Sequence, residues 1–413
     1  MSIYPPGLLE DLKQKWYTKS YKEEIIPSLP DDKIINKLLD VCYHASFETE
    51  ETRRLKFKVA YYPHDEIEEN LPYIKIELKD PKPFDKKELL RIAPAIDPKS
   101  VIIGVEWNES ERILQIWGFI HIGSEWWNLI HWKSDSAFSP PNALTISSQK
   151  PGDLLISRQG NFLLFLSGGN LHQLIGDIFR TGPIAIWFHS TDIAVQYEIK
   201  EQLKKEIVDI KIPDKIFSNL FIECVKGIIF NILEQGHGGT LILVPGSDHL
   251  VENLQDHVKI KYRCKYEILS NLSRSVMKNR IIRSIHPPKI FENSLYDSEN
   301  LSEAINFVST LSGVDGAILL TDRLNLLGFG CELITKTSDF EFVKKASDTY
   351  GNATSDILIE SFGTRHRSAF RFCSHFDNAI AFIFSQDGGV TVSKKCETGL
   401  IIWQDINIYN WVG

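Results

Sequence analysis

An α+β N-terminal domain followed by an α/β domain, with a central mixed sheet flanked by helices, is the architecture this sequence predicts. The chain of 413 residues exceeds what one ordinary core organises. Its first half carries short runs of period-two alternation, the mark of half-buried strands. Its second half alternates apolar strand-like runs with longer helix-like ones. Among them Thr240-Leu241-Ile242-Leu243-Val244-Pro245 is nearly all apolar, which suits a central strand covered on both faces.

Residues 1–30 are polar and punctuated by proline, and read as an arm or a short helix followed by irregular chain. Residues 31–213 form the α+β domain. Asp32–Leu39 has helical spacing, whereas Leu55–Val59, Tyr73–Leu78 and Ile113–Trp117 alternate with period two. Six of the nine tryptophans fall between Trp107 and Trp187, a density expected of a core or a ligand groove. The stretch from Pro151 to Gly169 reads as turn, strand, turn, and Leu171–Phe179 as helix. Lys200–Lys211 is a charged connector. Residues 214–413 form the α/β domain. An apolar helix over Ile216–Glu234 ends at Gly236-His237-Gly238-Gly239. Helix over Asp297–Leu311 and strands over Gly316–Asp322, Leu326–Leu333, Asn378–Phe384 and Gly389–Ser393 follow.

Composition narrows the function classes. A net charge of −8 opposes general nucleic-acid binding. No run of about eighteen apolar residues and no charged-then-apolar leader is present, so a soluble cytoplasmic protein without membrane attachment is expected. The six cysteines (Cys42, Cys224, Cys264, Cys331, Cys373 and Cys396) include no Cys-x-x-Cys pair, against a structural zinc site or a disulfide framework. Neither a Walker A string nor a Gly-x-Ser-x-Gly elbow occurs.

Two short strings carry chemistry. Asp315-Gly316-Ala317 places a carboxylate at the mouth of a buried strand. There it can hold a hard cation or help deprotonate a hydroxyl, while the small residues let a ligand approach the backbone. Asp-Gly is equally an ordinary turn dipeptide. About fifty residues on, Gly363-Thr364-Arg365-His366-Arg367 opens a helix, with Thr364 as its expected cap. Free amides and the positive dipole end attract phosphate there, and Arg365 and Arg367 add forked donors. Basic residues at that end are unfavourable unless an anion answers them.

The two strings, in this order, resemble the Asp-Gly-Ala and Arg-His-Arg motifs of the diadenylate cyclase (DAC, DisA-N) family over roughly residues 236–395. The likeness extends to Gly238–Pro245, to the hairpin Leu326–Leu333, and to Phe384-Ser385-Gln386-Asp387-Gly388-Gly389-Val390. About 230 residues precede the cyclase-like half, an arrangement similar to the type with an N-terminal sensor domain called DACNV. Neither the helix-hairpin-helix module of DNA-scanning relatives nor a membrane anchor like that of membrane-bound relatives is expected.

The resemblance implies condensation of two ATP into cyclic di-AMP, with release of pyrophosphate, at a face-to-face homodimer with Mn²⁺ or Mg²⁺. Asp315 would bind metal or activate the 3′-hydroxyl, and Thr364, Arg365, His366 and Arg367 would hold the triphosphate. Gly316, Ala317, Leu327, Gly328, Phe329 and Gly330 would shape the nucleoside pocket, with Gly363, Ser385 and Asp387 at its edge. Two departures stand out. Val314 occupies the place of a histidine found in some members, and Gln386-Asp387 replaces paired glutamates. These departures favour the alternative of a pocket that binds nucleotide or cyclic dinucleotide without turnover.

Overall fold

The structure, a computed structural model, describes residues 7–17, 26–50, 53–66, 74–98, 100–122, 141–148, 151–159, 161–172, 175–206, 219–246, 254–285, 293–334, 340–385, 389–404 and 406. They divide between residues 174 and 175 into two compact units. The sequence reading set this boundary between 213 and 214. Trp126, Trp127 and Asp387 lie outside the described residues.

In the first unit, helices α1 (Leu8–Trp16), α2 (Asp32–Ser46) and α3 (Lys86–Ile92) pack with an eight-stranded sheet. A two-residue ribbon, β1 (Thr49–Glu50) and β2 (Arg53–Arg54), stands beside it in sequence. The sheet strands are β3 (Phe57–Tyr61), β4 (Ile74–Pro83), β5 (Val101–Asn108), β6 (Ile113–His121), β7 (Leu144–Ser148), β8 (Leu154–Arg158), β9 (Asn161–Ser167) and β10 (Asn170–His172). Their order is β10-β9-β8-β7-β3-β5-β6-β4, antiparallel except for the β3–β5 pair. The alternation in the sequence places Phe57, Val59, Ile103 and Val105 in one core with Ile35, Leu38, Leu39 and Cys42 of α2. Helix α1 belongs to that core through Leu8, Leu12 and Trp16, whose indole donates to the Pro27 carbonyl at 2.8 Å. The expected helix over Leu171–Phe179 is absent. Gly168 and Gly169 both adopt positive φ and turn the chain back, so Leu171 pairs with Leu166 in a hairpin.

In the second unit, β11 (Gly239–Val244), β12 (Val258–Tyr266), β13 (Ala317–Thr321), β14 (Leu326–Leu333), β15 (Phe342–Ala346), β16 (Thr354–Leu358), β17 (Ile380–Phe384), β18 (Val390–Cys396) and β19 (Gly399–Trp403) form one mixed sheet. Their order is β12-β14-β13-β11-β17-β18-β19-β15-β16. Strand β11 pairs in parallel with β13 and antiparallel with β17. Ile242 and Val244 point into a cluster with Phe370 and Phe372 of α8 (Thr364–His375), while Leu241 and Leu243 bury on the opposite face. This explains the unbroken apolar run.

Four further helices complete the unit: α4 (Pro183–Glu206), α5 (Leu220–Glu234), α6 (Ile268–Ile285) and α7 (Asn293–Thr310). Helix α4 takes in the first part of the segment read as a connector. Its buried Phe188, Val195, Ile199 and Leu203 pack with α5 and α6, which draws the boundary forward. Among the described residues no helix is long and apolar enough to cross a membrane.

One buried charge stands apart in this core. Asp192 of α4 is fully enclosed; Oδ1 accepts from the Phe221 amide at 3.4 Å, and Oδ2 meets no partner among the described residues. Burial holds its carboxyl well above the usual carboxylate range. Because the folded pKa exceeds the unfolded one, the stabilising contribution is complete below the unfolded pKa of about 3.9 and is lost as pH rises through the folded value. Asp192→Asn should therefore raise the melting temperature at about pH 8 and change it little near about pH 4. Melting curves across that range check this, and an unchanged pH slope would remove Asp192 as its source.

Candidate functional site

Parallel pairing of β11 with β13 aligns Thr240 with Ala317. Gly238 and Asp315 each stand two residues before that first pair, so they emerge from neighbouring strands at one end of the sheet. Adjacent strands lie about 4.8 Å apart. Antiparallel β17 ends at the same place, with Phe384 opposite Gly239 and Ser385 next in the chain. The Ser385 amide donates to the Gly389 carbonyl at 3.0 Å and closes the turn into β18.

Asp315 is exposed, and Gly316 has φ +118°. A Cβ on Gly316 would meet the Gly330 carbonyl carbon at 2.5 Å and the Cys331 nitrogen at 2.8 Å. Gly330, at φ +61°, is itself bracketed by Tyr262, Val314 and the Asp315 carbonyl at 3.3–3.5 Å from an added Cβ. Two glycines thus let the Asp315-Gly316 turn cross directly against β14, and the crossing fixes where the carboxylate leaves the sheet.

Helix α8 supplies the opposite charge. Thr364, expected as its cap, is instead its first helical residue. Gly363 occupies the capping place and has no side chain with which to cap the first turn. The Arg365 guanidinium reaches over Gly238, where an added Cβ would lie 2.3 Å from Nη1 and 2.9 Å from the Phe384 carbonyl. Gly238 is therefore the space that Arg365 uses.

The remaining expected residues divide. His366 sits between the rings of Phe362 and Phe370 at centroid distances of 5.7 and 5.9 Å. Arg367 does not stand open: its guanidinium bonds to Glu360, which also reaches Arg371 at 3.4 Å. Phe329 stacks on Tyr262 at 4.8 Å. Gly328 is covered by Ile260 and the Tyr262 carbonyl. Leu327 is half-buried against the α8 core, toward the far end of β14.

Sequence reasoning took His237 only as part of a helix stop. Its Nδ1 is buried without a partner among the described residues, and its Nε2 would lie 3.7 Å from a Cβ on Gly313, two residues before Asp315. A histidine between glycines, immediately before a central strand, was the available signal. Gly246 is at the other end of β11, where its amide donates to Asp322 at 3.0 Å.

Residues 24–121, in the first unit, match the family model described as "Probable sensor domain DACNV". No curated protein sequence matches the chain. Among solved structures it is similar to DacA from Staphylococcus aureus, at 14% identity and a TM-score of 0.24, over 47% of this chain and 96% of that one. It is also similar to a hypothetical membrane spanning protein from Bacillus cereus, at 12% identity and a TM-score of 0.25, over 54% and 94%. Likeness of this size fixes neither fold nor activity.

Gly316→Ala tests the crossing. A strained φ together with the 2.5 Å clash should cost ~2–5 kcal/mol, read as a lowered denaturation midpoint. An unchanged midpoint would mean that the turn has room to shift.

Proposed function

We propose that the second unit is a diadenylate cyclase, condensing two ATP into cyclic di-AMP across a homodimer. The observation that carries this reading is the pairing at one sheet end of an exposed carboxylate, Asp315, with the Arg365 guanidinium over Gly238. A phosphate-binding surface alone has no use for the acid. A nucleotidyl transfer has use for both, since a hydroxyl must lose its proton while charge builds on phosphate.

In this reading the N-terminal end of α8 and Arg365 hold the triphosphate of one ATP. Asp315 receives the proton of the ribose 3′-hydroxyl. That oxygen attacks the α-phosphorus of the ATP held by the partner copy, the α-phosphorus–oxygen bond to the β-phosphate breaks, and pyrophosphate leaves. The reciprocal attack closes the ring, so two bonds form and two pyrophosphates depart. Positioning supplies most of the rate, as in other phosphoryl transfers.

Mn²⁺ or Mg²⁺ fits Asp315 as a cation held by one protein carboxylate and completed by substrate phosphates. Among the described residues no group of three His, Cys, Asp or Glu donors gathers there. Bound in that way, the cation supplies positive charge to the phosphates. The first unit is assigned a regulatory role on its match to the sensor model.

The ion pair between Arg367 and Glu360 favours a second reading, in which the pocket binds nucleotide without turnover. Incubation of purified protein with ATP and Mn²⁺, followed by mass spectrometry of the products, separates the two. Cyclic di-AMP that vanishes in Asp315→Asn supports the cyclase; ATP bound but returned intact supports the binder. Arg365→Ala should weaken ATP binding by ~1.5–3 kcal/mol if a charged hydrogen bond is lost. Unchanged calorimetric affinity would move the phosphate site elsewhere.

A further inference from the structure

The first unit carries a cluster of ionisable groups that the cyclase reading does not use. His64 and Asp65 lie in a short 3-10 turn just after β3, and Glu106 comes from β5, the parallel neighbour of β3. The three donor atoms lie within 4.8 Å of one another. His64 Nδ1 stands 2.7 Å from Glu106 Oε2 and 2.8 Å from Asp65 Oδ1.

Proton counting makes this arrangement informative. One imidazole Nδ1 carries at most one hydrogen, yet two carboxylate oxygens converge on it. One N–H satisfies one of them and leaves two anions in mutual repulsion. A divalent cation among the three atoms takes the neutral nitrogen as a ligand and balances both charges. Tetrahedral bonds of ~2.0–2.2 Å put neighbouring donors ~3.3–3.6 Å apart, so donor atoms that already lie within 4.8 Å of one another take up a cation with shifts of about an ångström.

The surroundings hold the donors in place. Glu106 is only 7% exposed; its Oε1 accepts from the Gln115 amide at 2.8 Å and its Oε2 from the His64 backbone N–H at 3.1 Å. Such outer contacts orient the ligands of metal sites. Lys75, the nearby cation, bonds to the His64 carbonyl at 2.8 Å and to Glu77 at 2.6 Å. Asp65 is 78% exposed on its side chain, which leaves a way in from solvent.

We propose that His64, Asp65 and Glu106 bind a divalent transition cation, with water completing the shell, and that this cation is the ligand of the first unit. One imidazole and two carboxylates without thiolate suit Zn²⁺, Co²⁺ or Mn²⁺, and by affinity order Zn²⁺ stands above Mn²⁺.

The test uses the tag-free full chain, stripped by chelator and titrated with Zn²⁺ by calorimetry, with Co²⁺ absorption as a second readout. Wild type and Asp315→Asn should each take one equivalent. His64→Ala and Glu106→Gln should weaken uptake at least ~10-fold. Asp65→Asn, at an exposed position that leaves the core untouched, should weaken it as well and shift the Co²⁺ spectrum. Wild type that takes no metal, or Asp65→Asn and His64→Ala that bind as wild type does, would overturn the proposal. The Asp315→Asn arm keeps this outcome separate from that of the cyclase reading.

Discussion

The second unit depends on the parallel pairing of β11 with β13, enclosed on both faces. Parallel partners cannot be joined by a tight turn, so 72 residues intervene between Val244 and Ala317. That separation makes the pairing costly to form, and burial of Leu241, Ile242, Leu243, Ile318, Leu319 and Leu320 repays it. Each of these side chains fully withdrawn from water contributes ~1.5–3 kcal/mol. Once made, the pairing leaves no freedom in where Gly238 and Asp315 emerge. The carboxylate and the space for Arg365 are placed by a buried strand ladder.

Charge is sorted along that ladder. At the far end Arg323 bonds to Glu198 through two nitrogens, at 2.7 and 3.1 Å, and Arg274 joins them at 2.9 Å. Those charges are mutually satisfied and tie α4, α6 and the β13–β14 turn together. At the near end Glu360 holds Arg367 and Arg371, two of the three arginines of α8. Arg365 is directed over Gly238 and Phe384 instead. A motif read as a cluster of equal phosphate donors is thus split: one arginine faces the strand mouth, and one braces the helix that presents it.

The legible parts of the sequence were those whose reason is local. The apolar run of β11, the strand after Asp-Gly-Ala and the hairpin strand Leu326–Leu333 all follow from side-chain order and turn chemistry. Strand β12 was hidden because it is an edge. Lys259, Lys261, Arg263 and Lys265 alternate along it, as befits a strand that must not pair with another chain. Strand β16 was hidden because its residues are largely polar and exposed, and β15 because Lys344 and Lys345 interrupt a run of five. Strand β15 is held by β19, where Lys344 and Lys345 align with Ile401 and Ile402, more than fifty residues away, and β16 is held by β15. The Arg367–Glu360 bond also lay beyond pattern reading, since a basic helix start signals anion attraction without saying which anion answers it.

The same limit of locality separates the two acidic centres of the chain and suggests that they want different cations. On the proposed reading Asp315, exposed at a strand mouth, is a single oxygen donor whose cation, hard Mg²⁺ or Mn²⁺, would be completed by phosphates and would hold poorly without the nucleotide. His64, Asp65 and Glu106 already supply three donors, one of them nitrogen, and need no substrate to complete them. A borderline cation gains from the imidazole where Mg²⁺ does not. On these proposals, occupancy of the first centre would track nucleotide, and occupancy of the second would track free metal. On these two proposals, Mg²⁺ with nucleotide at the first and Zn²⁺ at the second would answer two chemical signals.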